Sequence, residues 1–148
     1  MTPPKKPIRV LLVDDHQTVL WGLSRLIEGE RPRMELAGQA RDRAGLFELA
    51  RRERPDIILL DLDLGDENSL DFLPDLVQEI DAYVLILTGA RERDLHERAV
   101  KAGASGVVLK DEPVETIVKA IEKVCGGELW LDRAMAGRVR EASHLASA

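Results

Sequence analysis

The chain has 148 residues, 45% of them hydrophobic and 32% charged, which suits one folded domain with a short appendage and excludes a disordered chain. A formal charge of −6 and an aromatic content of 3% argue against a nucleic-acid surface, which needs clustered cations or exposed rings. No apolar run approaches the roughly 18 residues that cross a bilayer, MTPPKKP lacks the apolar segment of a secretion signal, and the single Cys125 forbids an internal disulfide, which fits a reducing cytoplasm.

Short runs rich in Val, Ile and Leu then alternate with helix-period segments. Residues 1–7 are expected to form a flexible tail and 8–131 the domain. IRVLLV (8–13) reads as a first strand. The helix that follows, in QTVLWGLSRLIEGE, places Val19, Leu23, Leu26 and Ile27 on one face, with Trp21 as a packing residue. MELAGQA (34–40) is a weaker second strand. A helix over 43–53 carries Leu46, Leu49 and Ala50 and stops before Pro55.

IILLD (57–61) is a third strand, apolar enough to be buried on both faces. A helix over 69–80 starts at Ser69 as N-cap and tolerates Pro74 in its first turns. AYVLILT (82–88) is the fourth strand, and RERDLHERAVKAG (91–103) a helix closed by Gly103. SGVVLK (105–110) is the fifth strand. The last helix runs from Pro113 to Cys125, with Val114, Ile117, Val118, Ile121 and Val124 on one face and Cys125 as a small buried residue. Trp130 is expected to pack, and 132–148 to form a linker or C-terminal helix.

Five βα units with unbroken apolar strands predict an α/β fold, a parallel sheet covered on both sides. Right-handed crossovers leave the flavodoxin-like doubly wound sheet, (βα)5 with strand order 2-1-3-4-5, whose functional crevice lies at the C-terminal strand ends. There the first strand ends in Asp14 and Asp15, the third in Asp61, the fourth in Thr88 and the fifth in Lys110. Three carboxylates repel one another, and hard oxygen ligands without a cysteine or histidine cluster point to Mg²⁺. Beside a cation, a hydroxyl and a lysine, Asp61 is a competent nucleophile towards phosphorus, and its product is an acyl phosphate.

Each residue alone has a plainer reading. Asp14 or Asp15 could cap the first helix, His16 could be a helix-start residue, Thr88 an ordinary strand residue and Lys110 a surface lysine. The joint pattern carries the signal.

In "LLVDDHQTVLWGL", "DIILLDLDL", "VLILTG" and "AGASGVVLKDEPVETIVKAI" the chain resembles the receiver domain of two-component response regulators, over roughly residues 8 to 131. DDH and "GGELWLD" (126–132) are most similar to the NarL/FixJ type. The resemblance implies Asp61 as phosphoacceptor, and Asp14 and Asp15 as the Mg²⁺-binding pair with the Asp63 backbone carbonyl. It also implies Thr88 as switch hydroxyl and Lys110 as the lysine paired with phosphate. It implies a sensor histidine kinase as partner, a homodimer through a helical face, self-catalysed phosphorylation and dephosphorylation without being an enzyme in the ordinary sense, and DNA contact only through an output domain absent from this chain.

Three positions depart from the family pattern. An aromatic residue is usual three before the lysine, where Val107 stands; Gly65 and Ser69 stand where proline and glycine are usual. The GDENS loop (65–69) is therefore expected to be more flexible and more acidic. Two alternatives follow. One is a receiver that docks or dimerises without phosphorylation. The other rests on "LLDLDLG", which also resembles the DxD signature of haloacid-dehalogenase-type phosphatases, although their second acid pair follows the lysine and Asp14 and Asp15 precede it.

Overall fold

The apolar runs become strands because each residue has a hydrophobic layer to enter on either side. In the computed structural model, which describes residues 6–131, β1 (Ile8–Val13), β2 (Met34–Ala40), β3 (Ile57–Asp61), β6 (Tyr83–Thr88) and β7 (Gly106–Leu109) form one sheet. Its order is β2-β1-β3-β6-β7 and every pairing is parallel. This is the expected 2-1-3-4-5 order once the small hairpin strands β4 (Asp63–Leu64) and β5 (Glu67–Asn68) are set aside. Most of the expected tail, and the segment 132–148 expected as linker or helix, lie outside the described residues.

β3 lies at the centre, and all five of its residues are buried. Its side chains alternate between two cores, as the period of two requires. Ile58 and Leu60 enter a cluster with Leu46 and Ala50 of α2 (Arg43–Glu53), Leu73 and Leu76 of α3 (Leu73–Glu79) and Ala99 of α4 (Arg93–Lys101). Ile57 and Leu59 enter the other, with α1 (Gln17–Glu28) and α5 (Val114–Cys125). Removing one such leucine side chain costs about 2–5 kcal/mol.

Several local expectations need correction. The segment expected as one helix over 69–80 is a 3₁₀ turn, Ser69–Asp71, followed by α3. Asn68, not Ser69, caps the turn, its side chain accepting from the Leu70 N–H at 2.9 Å. Pro74 falls in the first turn of α3, where its missing N–H has no helical partner to lose. GDENS forms a β-hairpin with Gly65 at φ +61°, a left-handed turn that glycine adopts without strain.

On α1 the buried stripe is Leu20, Leu23 and Ile27, with Val19 and Leu26 at its margin. Trp21 points outward, 60% exposed, with the Arg25 guanidinium 5.2 Å from its ring. Trp130 does pack, against the α1/α5 core, and its backbone bridges to Gly106. Val114 is exposed, because α5 begins after Pro113 and turns its first residue to solvent. Cys125 is half-buried at the end of α5, its thiol pushed up to about 11 chiefly by burial and then by Asp56, which leaves it unreactive. Among the described residues no helix is long and apolar enough to cross a membrane.

Candidate functional site

All the parallel strands point their C-terminal ends to one edge, so the residues at those ends converge. Asp14, just past β1, is 1% exposed; Asp61, the last residue of β3, is 2% exposed; Thr88, the last of β6, is 1% exposed. Asp15 is partly exposed. Lys110, just past β7, places Nζ 3.1 Å from an oxygen of Asp61 and 3.9 Å from one of Asp14. Its backbone N–H donates to the Thr88 carbonyl at 2.8 Å, which fixes where the lysine leaves the sheet.

The carboxylates are poorly compensated. Burial, and then the Asp14 charge, push the Asp61 carboxyl up to about 6, against the opposing hydrogen bond and charge of Lys110 and a weak N–H donation from Asp63 at 3.3 Å. Asp14 Oδ2 and Asp15 Oδ1 are buried and have no hydrogen-bond partner. Buried acceptors of that kind are rare and costly unless something cationic completes them. The other Asp15 oxygen accepts from the Gly65 N–H at 2.9 Å, so the hairpin holds that carboxylate in place.

Neither acid caps α1. His16 is the N-cap residue, and Asp14 accepts its backbone N–H at 2.8 Å. The His16 ring sits among the acids, with Nδ1 3.0 Å from an oxygen of Asp14 and 3.0 Å from one of Asp15. A single ring N–H serves only one acceptor well, and it faces Asp14. Asp14, Asp15, His16 and Asp61 each offer a ligand atom, all within 4.8 Å of one another. The side chain of Asp63 is exposed on β4 and stays outside this group.

Sequence reading missed two contributors. His16 does stand at the start of α1, but its ring also reaches both acids, and its place directly after the acid pair is the available signal. Ser69 was read as a cap. It is fully buried, and its hydroxyl donates to the Asp61 backbone carbonyl at 2.6 Å, a contact no local pattern announces. Thr88 Oγ1 accepts from the Ala90 N–H at 3.0 Å.

The arrangement offers a buried nucleophilic carboxylate, a paired cation, a hydroxyl and acids short of positive charge. Comparison with known proteins gives the family of the chain. The profile of the family described as "Response regulator receiver domain" matches residues 10–122. The chain is 33% identical to the transcriptional regulatory protein LiaR of Bacillus subtilis, over 89% of this chain and 63% of that protein. It is 31% identical to the nitrate/nitrite response regulator protein NarL of Escherichia coli, over 88% and 61%, so it spans less than two thirds of either relative. A crystal structure of a LuxR-family two-component response regulator from Aurantimonas sp. superposes with a TM-score of 0.81 at 32% identity, over 93% of this chain and 98% of that one.

Proposed function

Since this chain belongs to the response regulator receiver domain family, we propose that it accepts a phosphoryl group on Asp61 and changes conformation in response. The observation that carries this reading is a buried Asp61 with Lys110 at 3.1 Å, beside two buried carboxylate oxygens of Asp14 and Asp15 that accept no hydrogen bond. A carboxylate kept at such cost needs a use.

Those oxygens of Asp14 and Asp15, short of hydrogen bonds, fit a hard divalent cation such as Mg²⁺. Asp14, Asp15 and Asp61, with the backbone carbonyl of Asp63, would hold it. When bound it neutralises charge on the acids and on phosphoryl oxygens.

The remaining work falls to the chain's own groups. An Asp61 carboxylate oxygen bonds to phosphorus while the bond from phosphorus to a histidine nitrogen of the donor kinase breaks, its electron pair staying on that imidazole. Lys110 pairs with a phosphoryl oxygen, and Thr88 donates its hydroxyl hydrogen to another. The Asp63 N–H donates to the carboxylate, and Ser69 holds the Asp61 backbone through its carbonyl. Hydrolysis of the acyl phosphate later restores Asp61.

In this reading the partner is a sensor histidine kinase and the setting the cytoplasm. The chain pairs with a second copy through either the α1/α5 or the α4 surface. The output in this reading is transcription control, as in the transcriptional regulatory protein LiaR, through a DNA-binding region other than the receiver domain.

Intact-protein mass after incubation with acetyl phosphate and Mg²⁺ tests the chemistry. A single phosphoryl adduct is expected, lost in Asp61→Asn and without Mg²⁺. No adduct from acetyl phosphate or a kinase would leave a docking or dimerisation module. Sedimentation with and without phosphorylation tests the pairing, which a strict monomer in both states defeats.

A further inference from the structure

Thr88 is connected to helix α4 by a route the sequence pattern does not announce. The position three before Lys110 is Val107, whose side chain has no polar atom and packs into the same core as Ala99 of α4. A histidine on that helix reaches the loop after β6 instead. His96 is 5% exposed, and its Nε2 lies 2.7 Å from the Ala90 carbonyl oxygen. Because the acceptor is a carbonyl, Nε2 carries the hydrogen. The Ala90 N–H is taken up as well, by Thr88 Oγ1 at 3.0 Å.

Both backbone polar groups of one residue are thus engaged, one by the hydroxyl at the end of β6 and the other by α4. If Thr88 rotates so that Oγ1 leaves Ala90, a partly buried N–H is stranded unless the loop follows. His96 opposes that movement by holding the other side of Ala90. A Cβ on Gly89, between Thr88 and Ala90, would meet no atom within 4 Å among the described residues. The Arg91–Asp111 ion pair next along the loop is solvent-exposed on both sides and holds it weakly.

We propose that His96 is a positioning residue that couples Thr88 to α4. Its hydrogen bond to the Ala90 carbonyl keeps Thr88 in the unphosphorylated arrangement, and release of that bond lets Thr88 reach the phosphoryl group and α4 shift together. The inference rests on reading Asp61 as the phosphoacceptor.

The test uses the full chain with His96→Leu, which fills the space without a donor, and His96→Gln, which keeps one. In the unphosphorylated protein, His96→Leu is expected to move the Ala90 amide resonance toward its position in the beryllofluoride-treated wild type. The rate constant for labelling by acetyl phosphate should rise on the order of fivefold, the population change that one neutral hydrogen bond supports. His96→Gln should return both close to wild type. An unmoved Ala90 resonance with an unchanged rate, or a Gln variant indistinguishable from Leu, would overturn the proposal.

If His96→Leu does not fold, Thr88→Val replaces it: the His96 imidazole Nε2 resonance must then move, and an unmoved one overturns the coupling. If wild type takes no label at all, the Asp61 reading fails. The Ala90 and His96 resonances still judge the coupling separately.

Discussion

Replacing Asp61 by asparagine should stabilise the metal-free protein, although it removes a charge pair with Lys110. A carboxyl raised from 3.8 to about 6 by burial and by Asp14 binds its proton more tightly folded than unfolded. The folded state therefore loses stability as pH rises from about 4 to about 6 and stays at that level above. The full cost is on the order of 3 kcal/mol at pH 8, an upper bound because water reaches the site past a partly exposed Lys110. Asparagine keeps the shape, and its single amide oxygen can still accept from Lys110 in place of Oδ2, at the loss of the weaker Asp63 N–H contact. Urea denaturation in EDTA should find Asp61→Asn more stable at pH 8 by about 1–3 kcal/mol, with an advantage about 1 kcal/mol smaller at pH 5. Adding Mg²⁺ should narrow the gap at pH 8, because only wild type has the full set of carboxylates for a cation to neutralise. A difference independent of pH, or a destabilised variant in EDTA, would refute this electrostatic account.

The other predictions draw on separate parts of the molecule. Lys110→Met should push the Asp61 carboxyl still higher, since the lysine holds it down; carboxyl ¹³C NMR titration in EDTA reads the change, and an unmoved midpoint counts against the pairing. Gly106→Ala should destabilise by about 1–3 kcal/mol, because a Cβ there would lie 2.7 Å from the Trp130 carbonyl and 3.0 Å from Leu85; urea midpoints measure it, with Trp130 emission reporting the displaced segment. Trp21→Ala should change stability by less than about 0.5 kcal/mol, since the ring is largely in solvent; a larger loss in thermal melts would contradict its outward placement.

The topology and the gathering of Asp14, Asp61, Thr88 and Lys110 were legible because they depend on order along the chain. An unbroken apolar strand such as IILLD has to be buried on both faces, and parallel strands must send their C-terminal residues to one edge. Failures came where the outcome depends on a partner distant in sequence or on which of two apolar neighbours faces inward. Ser69 suits a helix cap by composition, yet the fold offers its hydroxyl a buried carbonyl eight residues back, and Asn68 caps instead. Trp21 is apolar on a helix, but the sheet-facing stripe of α1 centres on Leu20, Leu23 and Ile27, which leaves the indole outside. The GDENS hairpin depends on Gly65 adopting a left-handed turn while its N–H meets Asp15, fifty residues away in sequence.

The same placement explains why the site is costly and yet well defined. Asp61 ends the central strand, between β1 and β6, so its neighbours are fixed by the ladder and cannot retreat when charges crowd. Asp14 is held by its own acceptance of the His16 N–H, and Lys110 is fixed through the Thr88 carbonyl. Side chains on mobile loops would relax apart and lower the repulsion, but here the backbone denies that route. What remains is partial compensation by groups already present, Lys110 toward Asp61 and the His16 ring toward Asp14. A cation entering the cradle would have to compete with His16, so substituting that histidine should alter Mg²⁺ affinity without touching a carboxylate. Titration of Mg²⁺ into His16→Ala against wild type measures this; equal affinities would mean that the ring, 3.0 Å from both acids, does not compete for their oxygens.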